Sequence, residues 1–274
     1  MPETYQAVRR FREATEFSYT MMPGGKKGGS KSAFGINEVD MRMQLSFPCR
    51  FIPHYSPANT ESTGFFYIAP GLSVLWWDGP KGPPDMSPNG FGAYFDFGVN
   101  PRFNEVFSME GWFRLGAYSD FKNVKSEALR YQGRLTGTFT VSPTVQIVGG
   151  VQYLDRVRHK IIPVGGVIWS PKDDLILRLT FPNPKISKRF WKTGSADWWG
   201  YVAAEYGGSS WSIDGIGRTD YNDIRVGLGL EFETLTRVNG HIEFGGAFDR
   251  ELYSKNTKWQ KLSDAVYLKL GIVF

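Results

Sequence analysis

The chain has 274 residues, 41% of them hydrophobic, 22% charged and 16% aromatic, with 32 glycines. That balance excludes a disordered chain and a bundle of membrane helices, and the aromatic and glycine content points to a turn-rich β protein. The 32 basic and 27 acidic residues leave a net charge of +5 with no long basic run, which argues against nucleic acid as a partner, and the single cysteine, Cys49, excludes an internal disulfide and a cysteine-built metal site.

No apolar window of about 18 residues is present, so no transmembrane helix is expected. The opening "MPETYQAVRRFREATEF" lacks the apolar stretch of an export signal. Residues 1–13 read as an N-terminal extension or plug, and residues 14–274 as a single domain.

From residue 14 onward the dominant signal is alternation with a period of two. Strands are predicted at 14–22, 35–47, 64–76, 91–100, 105–118, 129–141, 145–154, 161–169, 174–182, 185–191, 198–211, 221–235, 241–250 and 263–274. In "VDMRMQLSF" (39–47), Val39, Met41, Met43, Leu45 and Phe47 take one face; Asp40, Arg42, Gln44 and Ser46 take the other. "LRYQGRLTGTFTV" (129–141) alternates Leu129, Tyr131, Leu135, Phe139 and Val141 with Arg130, Gln132, Arg134 and threonines. The same split runs through "LILRLTF" (175–181), "DIRVGLGLEFE" (223–233) and "HIEFGGAFD" (241–249). Side chains alternate across a strand, so each segment has an apolar and a polar face.

Segments of about 9–13 residues exceed the usual strand of about 5–6 and match the length needed to cross a bilayer at a tilt. Charged residues fall in mid-strand on one face only, as in a transmembrane barrel whose outside meets lipid. Connections alternate too. Short turns at 100–104, 142–144, 170–174 and 236–240 face longer loops at 22–31, 77–90, 119–128 and 250–261; the proline-bearing linker 48–62 departs from the rule. The expected fold is an all-β, up-and-down antiparallel transmembrane barrel of about 14 strands. The count falls to 12 if weakly patterned segments such as 185–191 are not strands.

The inward faces supply the candidate lumen and selectivity residues. The basic ones are Arg42, Arg114, Arg130, Arg134, Arg178, Arg225 and Lys269. The acidic ones are Asp40, Asp96, Glu110, Glu205, Glu231, Glu233, Glu243 and Asp249. Two readings stay open: ion pairs that stiffen a polar interior, or a water-filled channel whose charges tune selectivity. "GGKKGGSK" (24–31) lacks the ending of a phosphate loop and reads as a flexible cationic loop facing anionic lipopolysaccharide or solutes. His54, His159 and His241 lack metal-ligand spacing, and no serine is evidently presented beside His241, so neither a cofactor nor a catalytic activity is expected. The pairs Trp76–Trp77 and Trp198–Trp199, with Phe91, Trp169 and Phe190, suggest an interfacial aromatic girdle.

Several stretches resemble one family of bacterial proteins, domain of unknown function 6268, taken to be outer-membrane barrels. They are "AYFDFG" (93–98), "YSDF" (118–121), "SEALRYQGR" (126–134), "PVGGVIWSPKDDLILRLTFPNPK" (163–185), "WWGYVAAEYGGSSW" (198–211) and "YNDIRVGLGLE" (221–231). The run at 163–185 is the most specific. The resemblance implies fold and an outer-membrane location; it supplies no activity and no site residues.

The closing "VYLKLGIVF" places Val266, Leu268, Leu270, Ile272 and Phe274 on one face with Lys269 opposite. An alternating strand ending on an aromatic residue resembles the signal read by the barrel-assembly machinery. The sequence therefore leads to a passive, porin-like channel for small solutes in the bacterial outer membrane, embedded in lipid and lipopolysaccharide. The alternatives are a closed structural or interaction barrel and an outer-membrane lipid-modifying hydrolase.

Overall fold

The computed structural model describes residues 14–24, 32–55, 64–80, 88–122, 126–236, 238–254 and 260–274. The predicted extension 1–13 lies outside the described residues, as do parts of the linker 48–62 and of the four long loops. The strands are β1 (Ala14–Met22), β2 (Gly35–Cys49), β3 (Gly64–Asp78), β4 (Asn89–Val99) and β5 (Phe107–Ser119). They continue with β6 (Leu129–Ser142), β7 (Val145–Tyr153), β8 (Ile161–Lys172), β9 (Leu175–Phe181) and β10 (Lys185–Lys192). The last are β11 (Ala196–Ile213), β12 (Gly217–Thr234), β13 (Asn239–Ser254), β14 (Gln260–Lys261) and β15 (Ala265–Val273).

Each wall strand pairs antiparallel with its neighbours, and β15 closes on β1 from Glu16↔Val273 to Met21↔Leu268. Mutual backbone bonds between Thr15 and Phe274, at 2.8 and 3.0 Å, finish that seam. The wall is a closed barrel of 14 strands; β14 is a two-residue strip laid on β13. All fourteen predicted strands are present, including 185–191, which forms most of β10. Closure leaves no unpaired strand edge, which a bilayer would not tolerate.

The outer face carries the predicted apolar residues. Leu228 is 66% exposed, Phe244 60%, Leu135 51% and Phe274 58%, a surface suited to lipid tails and not to water. On β15, Val266, Leu270 and Ile272 face out with Phe274, while Tyr267 is buried inside the barrel. Leu268 lies on the outward face at intermediate exposure.

Three features differ from the sequence expectations. First, Asp249, expected inside, is exposed. Its φ of 45° and the slip from Asn222↔Glu251 to Ile224↔Phe248 mark a bulge in β13. The extra residue turns Arg250 inward in its place. Second, of each tryptophan pair only one belongs to an outer girdle. Trp76 is 41% exposed, and Trp198 stacks between Trp191 and Phe232 at 6.2 and 5.3 Å. Trp77 and Trp199 are buried inside. Adjacent residues on a strand point to opposite faces, so a Trp-Trp pair cannot lie wholly on one.

Third, β11 and β12 outrun their predicted ends at 211 and 221 and form a hairpin that enters the barrel mouth. Ser210, Trp211, Ser212 and Ile213 are all buried, so both faces of the strand are covered. Ser212 pairs with Ser119 of β5, although five strands separate β5 from β11 around the wall. The chain turns at Gly208, whose φ is +113°; a Cβ there would sit 2.0 Å from the Tyr221 carbonyl, so only glycine fits. Trp211 meets Tyr118 and Trp77 edge-on at 5.2 and 5.7 Å. With Ile213, Ile216, Tyr221 and residues of the facing walls, it makes an apolar core inside the loop end of the barrel.

Candidate functional site: the lumen

Below that apolar plug lies a cavity of about 600 Å³. Ala14, Glu110, Asn239, Val273 and Phe274 line it; all sit near the rim of short turns and chain ends, so the cavity reaches that rim. Its upper part is lined by Asp40, Tyr94 and Pro184.

The inward charges meet across strands that lie far apart in sequence. Asp96 on β4 accepts hydrogen bonds from Arg42 Nε on β2 at 3.0 Å and from Arg114 Nε and Nη2 on β5 at 2.6 and 2.9 Å. Arg42 also reaches Glu16 at 3.3 Å. The Arg114 guanidinium lies 3.7 Å from the centre of the Tyr94 ring, within range of a cation–π contact. The Tyr94 hydroxyl donates to Asp40 Oδ1 at 2.8 Å, and Ser73 donates to the other Asp40 oxygen. Tyr94 lies on Gly71, where a Cβ would fall 2.2 Å from the ring, so a glycine on one strand seats the ring of its neighbour.

On the opposite wall, Lys185 Nζ on β10 is 2.6 Å from Glu231 Oε2 on β12. Glu205 on β11 sits between Arg225 at 3.0 Å and Lys269 at 3.6 Å. Arg225 also holds Asp223 at 2.8 Å, and the Tyr267 hydroxyl donates to Glu243 Oε1 at 2.6 Å. Buried carboxylates and guanidiniums are tolerable only when paired and hydrogen-bonded in this way.

The structure places the predicted lumen residues as follows. Arg42, Arg114, Arg134, Arg178 and Lys269 line the cavity, as do Asp40, Glu110, Glu205, Glu231 and Glu243. Glu233 is buried at the turn rim, paired in register with Asn239. Arg225 lines a second cavity of about 200 Å³ that lies above the first, beneath the hairpin. Arg130 stands higher still: it is 1% exposed, and its guanidinium donates to the carbonyls of Glu127, Leu129 and Ser210. It therefore anchors the hairpin and does not line either cavity.

Sequence alternation passed over Lys185, because β10 is short and poorly patterned. It also missed the inward tyrosines Tyr67, Tyr94, Tyr201 and Tyr267, whose hydroxyl-bearing rings fill the lumen beside the charges. Their clearest sequence mark is the glycine on a neighbouring strand: Gly98 for Tyr67, Gly229 for Tyr201 and Gly245 for Tyr267. His241 lines the cavity too, but among the described residues the lining holds no serine, threonine or cysteine that could act as its nucleophile. His159 lies in the loop after β7, edge-on to Tyr206 at 6.1 Å.

With a lipid-suited exterior and a charged, hydrogen-bonded interior, the class is decided. The chain is an outer-membrane-type β-barrel. No protein-family model matches it, and no curated protein matches it either. Solved structures align with it along nearly its whole length at low identity. The KdgM porin is 13% identical, with 95% of this chain and 98% of that one covered and a TM-score of 0.40. The COG4313 outer membrane channel from Pseudomonas putida F1 is 14% identical, with 96% and 95% covered and a TM-score of 0.44. The translocator domain of the autotransporter NalP from Neisseria meningitidis is 11% identical, with 99% and 95% covered and a TM-score of 0.43.

Proposed function

We propose that this barrel is a passive, porin-like channel that carries small polar solutes across a bacterial outer membrane. The observation that carries the reading is the cavity of about 600 Å³, walled by charges of both signs and reaching the turn rim, with a second cavity above it. Such a lumen replaces the hydration of a polar solute by fixed donors and acceptors, and its charged residues filter by sign and size. The lumen candidates that line the two cavities take that role as a set. Kinship with the family named domain of unknown function 6268 belongs to the same proposal, as do lipopolysaccharide around the barrel and insertion by the barrel-assembly machinery through the Val266–Phe274 face.

Reconstitution into planar bilayers and solute-loaded vesicles tests the reading. Conductance steps and uptake of small polar solutes are expected. Absence of both at every voltage would sink it.

A closed barrel, structural or partner-binding, is the second reading. The apolar plug around Trp211 favours it, because it fills the loop end of the barrel with side chains packed as in a protein core. A silent bilayer with an intact, folded barrel would select it.

A further inference from the structure

The two cavities meet at Asn183 and Glu205, which line both. Straight above that waist the barrel axis is blocked. The end of β11, residues 210–213, is buried on both faces, and the hairpin is bonded to the far wall: the Asp120 amide donates to the Ser212 carbonyl at 3.3 Å, and the Asp214 amide to Asp120 Oδ2 at 3.2 Å.

The side wall is different. β9 and β10 are the shortest wall strands, with 7 and 8 residues. The turn between them, 182–184, is bonded to β11 through the Pro184 and Pro182 carbonyls, which accept from Ala204 and Tyr206. On one side β11 leaves the wall beyond Gly207 and turns into the barrel mouth. On the other, Phe181 pairs with Gly165, so the part of β8 from Ile161 to Val164 stands above the end of β9. The rim therefore has a notch two strands wide.

The loop 154–160 crosses this notch and is tied to the strands beyond it by several polar contacts: Asp155 meets Arg218 at 3.0 Å, Arg158 meets Glu251 at 3.1 Å, and Arg156 makes three hydrogen bonds. Arg156 Nη1 donates to the Gly207 carbonyl at 2.9 Å and to Asn222 Oδ1 at 2.7 Å, and Nη2 donates to the Gly208 carbonyl at 2.7 Å. The next two amides, of Val157 and Arg158, donate to Asp220 Oδ2 at 2.5 and 3.2 Å. Arg156, Pro182, Asn183, Gly207 and Gly208 all line the second cavity, so its upper side wall is the notch itself.

We propose that the solute path leaves the barrel sideways through this notch and not along its axis, with Asn183 and Glu205 at the waist and Arg156 as the latch across the exit. The inference rests on the channel reading above and adds where the path runs. Opening the notch means releasing the polar contacts of one short loop, which water can replace, whereas opening the axis means withdrawing an apolar core from the barrel mouth. Glu205 is the carboxylate shared by Arg225 and Lys269 at the waist, so its loss makes the constriction one charge more positive.

The test uses the full chain with Cys49→Ser, reconstituted in bilayers. One variant carries Ser119→Cys and Ser212→Cys, the pair that tie the hairpin tip to β5, so that oxidation locks the tip in place. A second carries Asn183→Cys, probed with a small cationic thiol reagent. A third is Glu205→Gln. Oxidising the lock is expected to change the current by less than about twofold, modification at residue 183 to cut it by at least about half, and Glu205→Gln to shift permeability toward anions by about twofold or more. Current abolished by the lock and restored by reduction would mean an axial gate and overturn the inference. So would a current indifferent to modification at residue 183 while the cysteine is shown to be labelled. A wild-type barrel with no current and no solute flux would instead remove the channel reading on which the inference stands.

Discussion

Asp96 joins two arginines at the centre of one lumen ion cluster, and replacing it with asparagine tests whether these pairs hold the barrel together. Its side chain is 6% exposed and accepts three hydrogen bonds from two guanidiniums, Arg42 and Arg114, which are 14% and 24% exposed. At an effective dielectric constant of about 20, each pair gains about 4 kcal/mol of Coulomb attraction at about 4 Å. Desolvation of the three charges offsets much of that. What remains after Asp96→Asn is two inward arginines facing each other without their shared carboxylate, and breaking a buried pair costs about 3–5 kcal/mol. The Arg side chains border a cavity, so the lower end applies: about 3 kcal/mol. Arg42 keeps Glu16 at 3.3 Å and Arg114 keeps the Tyr94 ring, which is why the cost stays below the sum of the two pairs. The assay is equilibrium unfolding in urea from lipid vesicles, with Arg114→Met and the double variant completing a cycle. A loss under about 1 kcal/mol, the range of exposed pairs, would refute the argument and show that water in the cavity screens the cluster.

Three further outcomes are expected. Leu228→Arg, at a site 66% exposed in the middle of β12, should destabilise the bilayer-inserted barrel by about 2–4 kcal/mol; an effect near zero would mean that this face does not meet lipid. Trp211→Ala removes the ring packed on Tyr118 and Trp77 and should cost about 3–5 kcal/mol, with earlier proteolysis in the 207–218 hairpin as the local readout; unchanged protection there would show that the plug does not hold the hairpin. Deletion of Phe274, whose backbone closes the seam with Thr15, should lower the yield of assembled barrel in the outer membrane; normal yield would remove the terminal residue from any assembly signal.

Much of the barrel is legible in the chain because its determinants are local. Strand faces follow from a period of two, and the fourteen segments satisfy the up-and-down order even where 185–191 alternates poorly. The outward set from Leu129 to Val141, or from Ile224 to Leu230, is fixed residue by residue once one member is placed. The candidate lumen residues were legible for the same reason: a charge in mid-strand, opposite a lipid-facing leucine, has nowhere to go but inward.

The limits of that reasoning are equally physical. A single bulge resets the period: beyond Asp249, Arg250 takes the inward place and donates to the carbonyls of Phe34 and Ser263. Nothing in "AFDREL" announces the slip, because the bulge comes from the pairing of β12 with β13. Partner choice inside the lumen is also invisible to the sequence. Asp96 finds Arg42, 54 positions away, and Lys185 finds Glu231, 46 positions away, because barrel closure brings strands two apart to a common height. The hairpin is the clearest case. Trp211 and Ile213 alternate like any strand residues, and a strand with one buried face would look the same. Only the turn at Gly208 and the reach of Ser212 to Ser119 place both faces inside the barrel mouth. The sequence by itself determined the barrel and, away from bulges and the hairpin, the side of the wall on which a residue lies, since those depend on spacing along one strand. Which charges meet, and where the lumen is filled, were decided by tertiary structure, since those depend on distances between strands that the chain order does not encode.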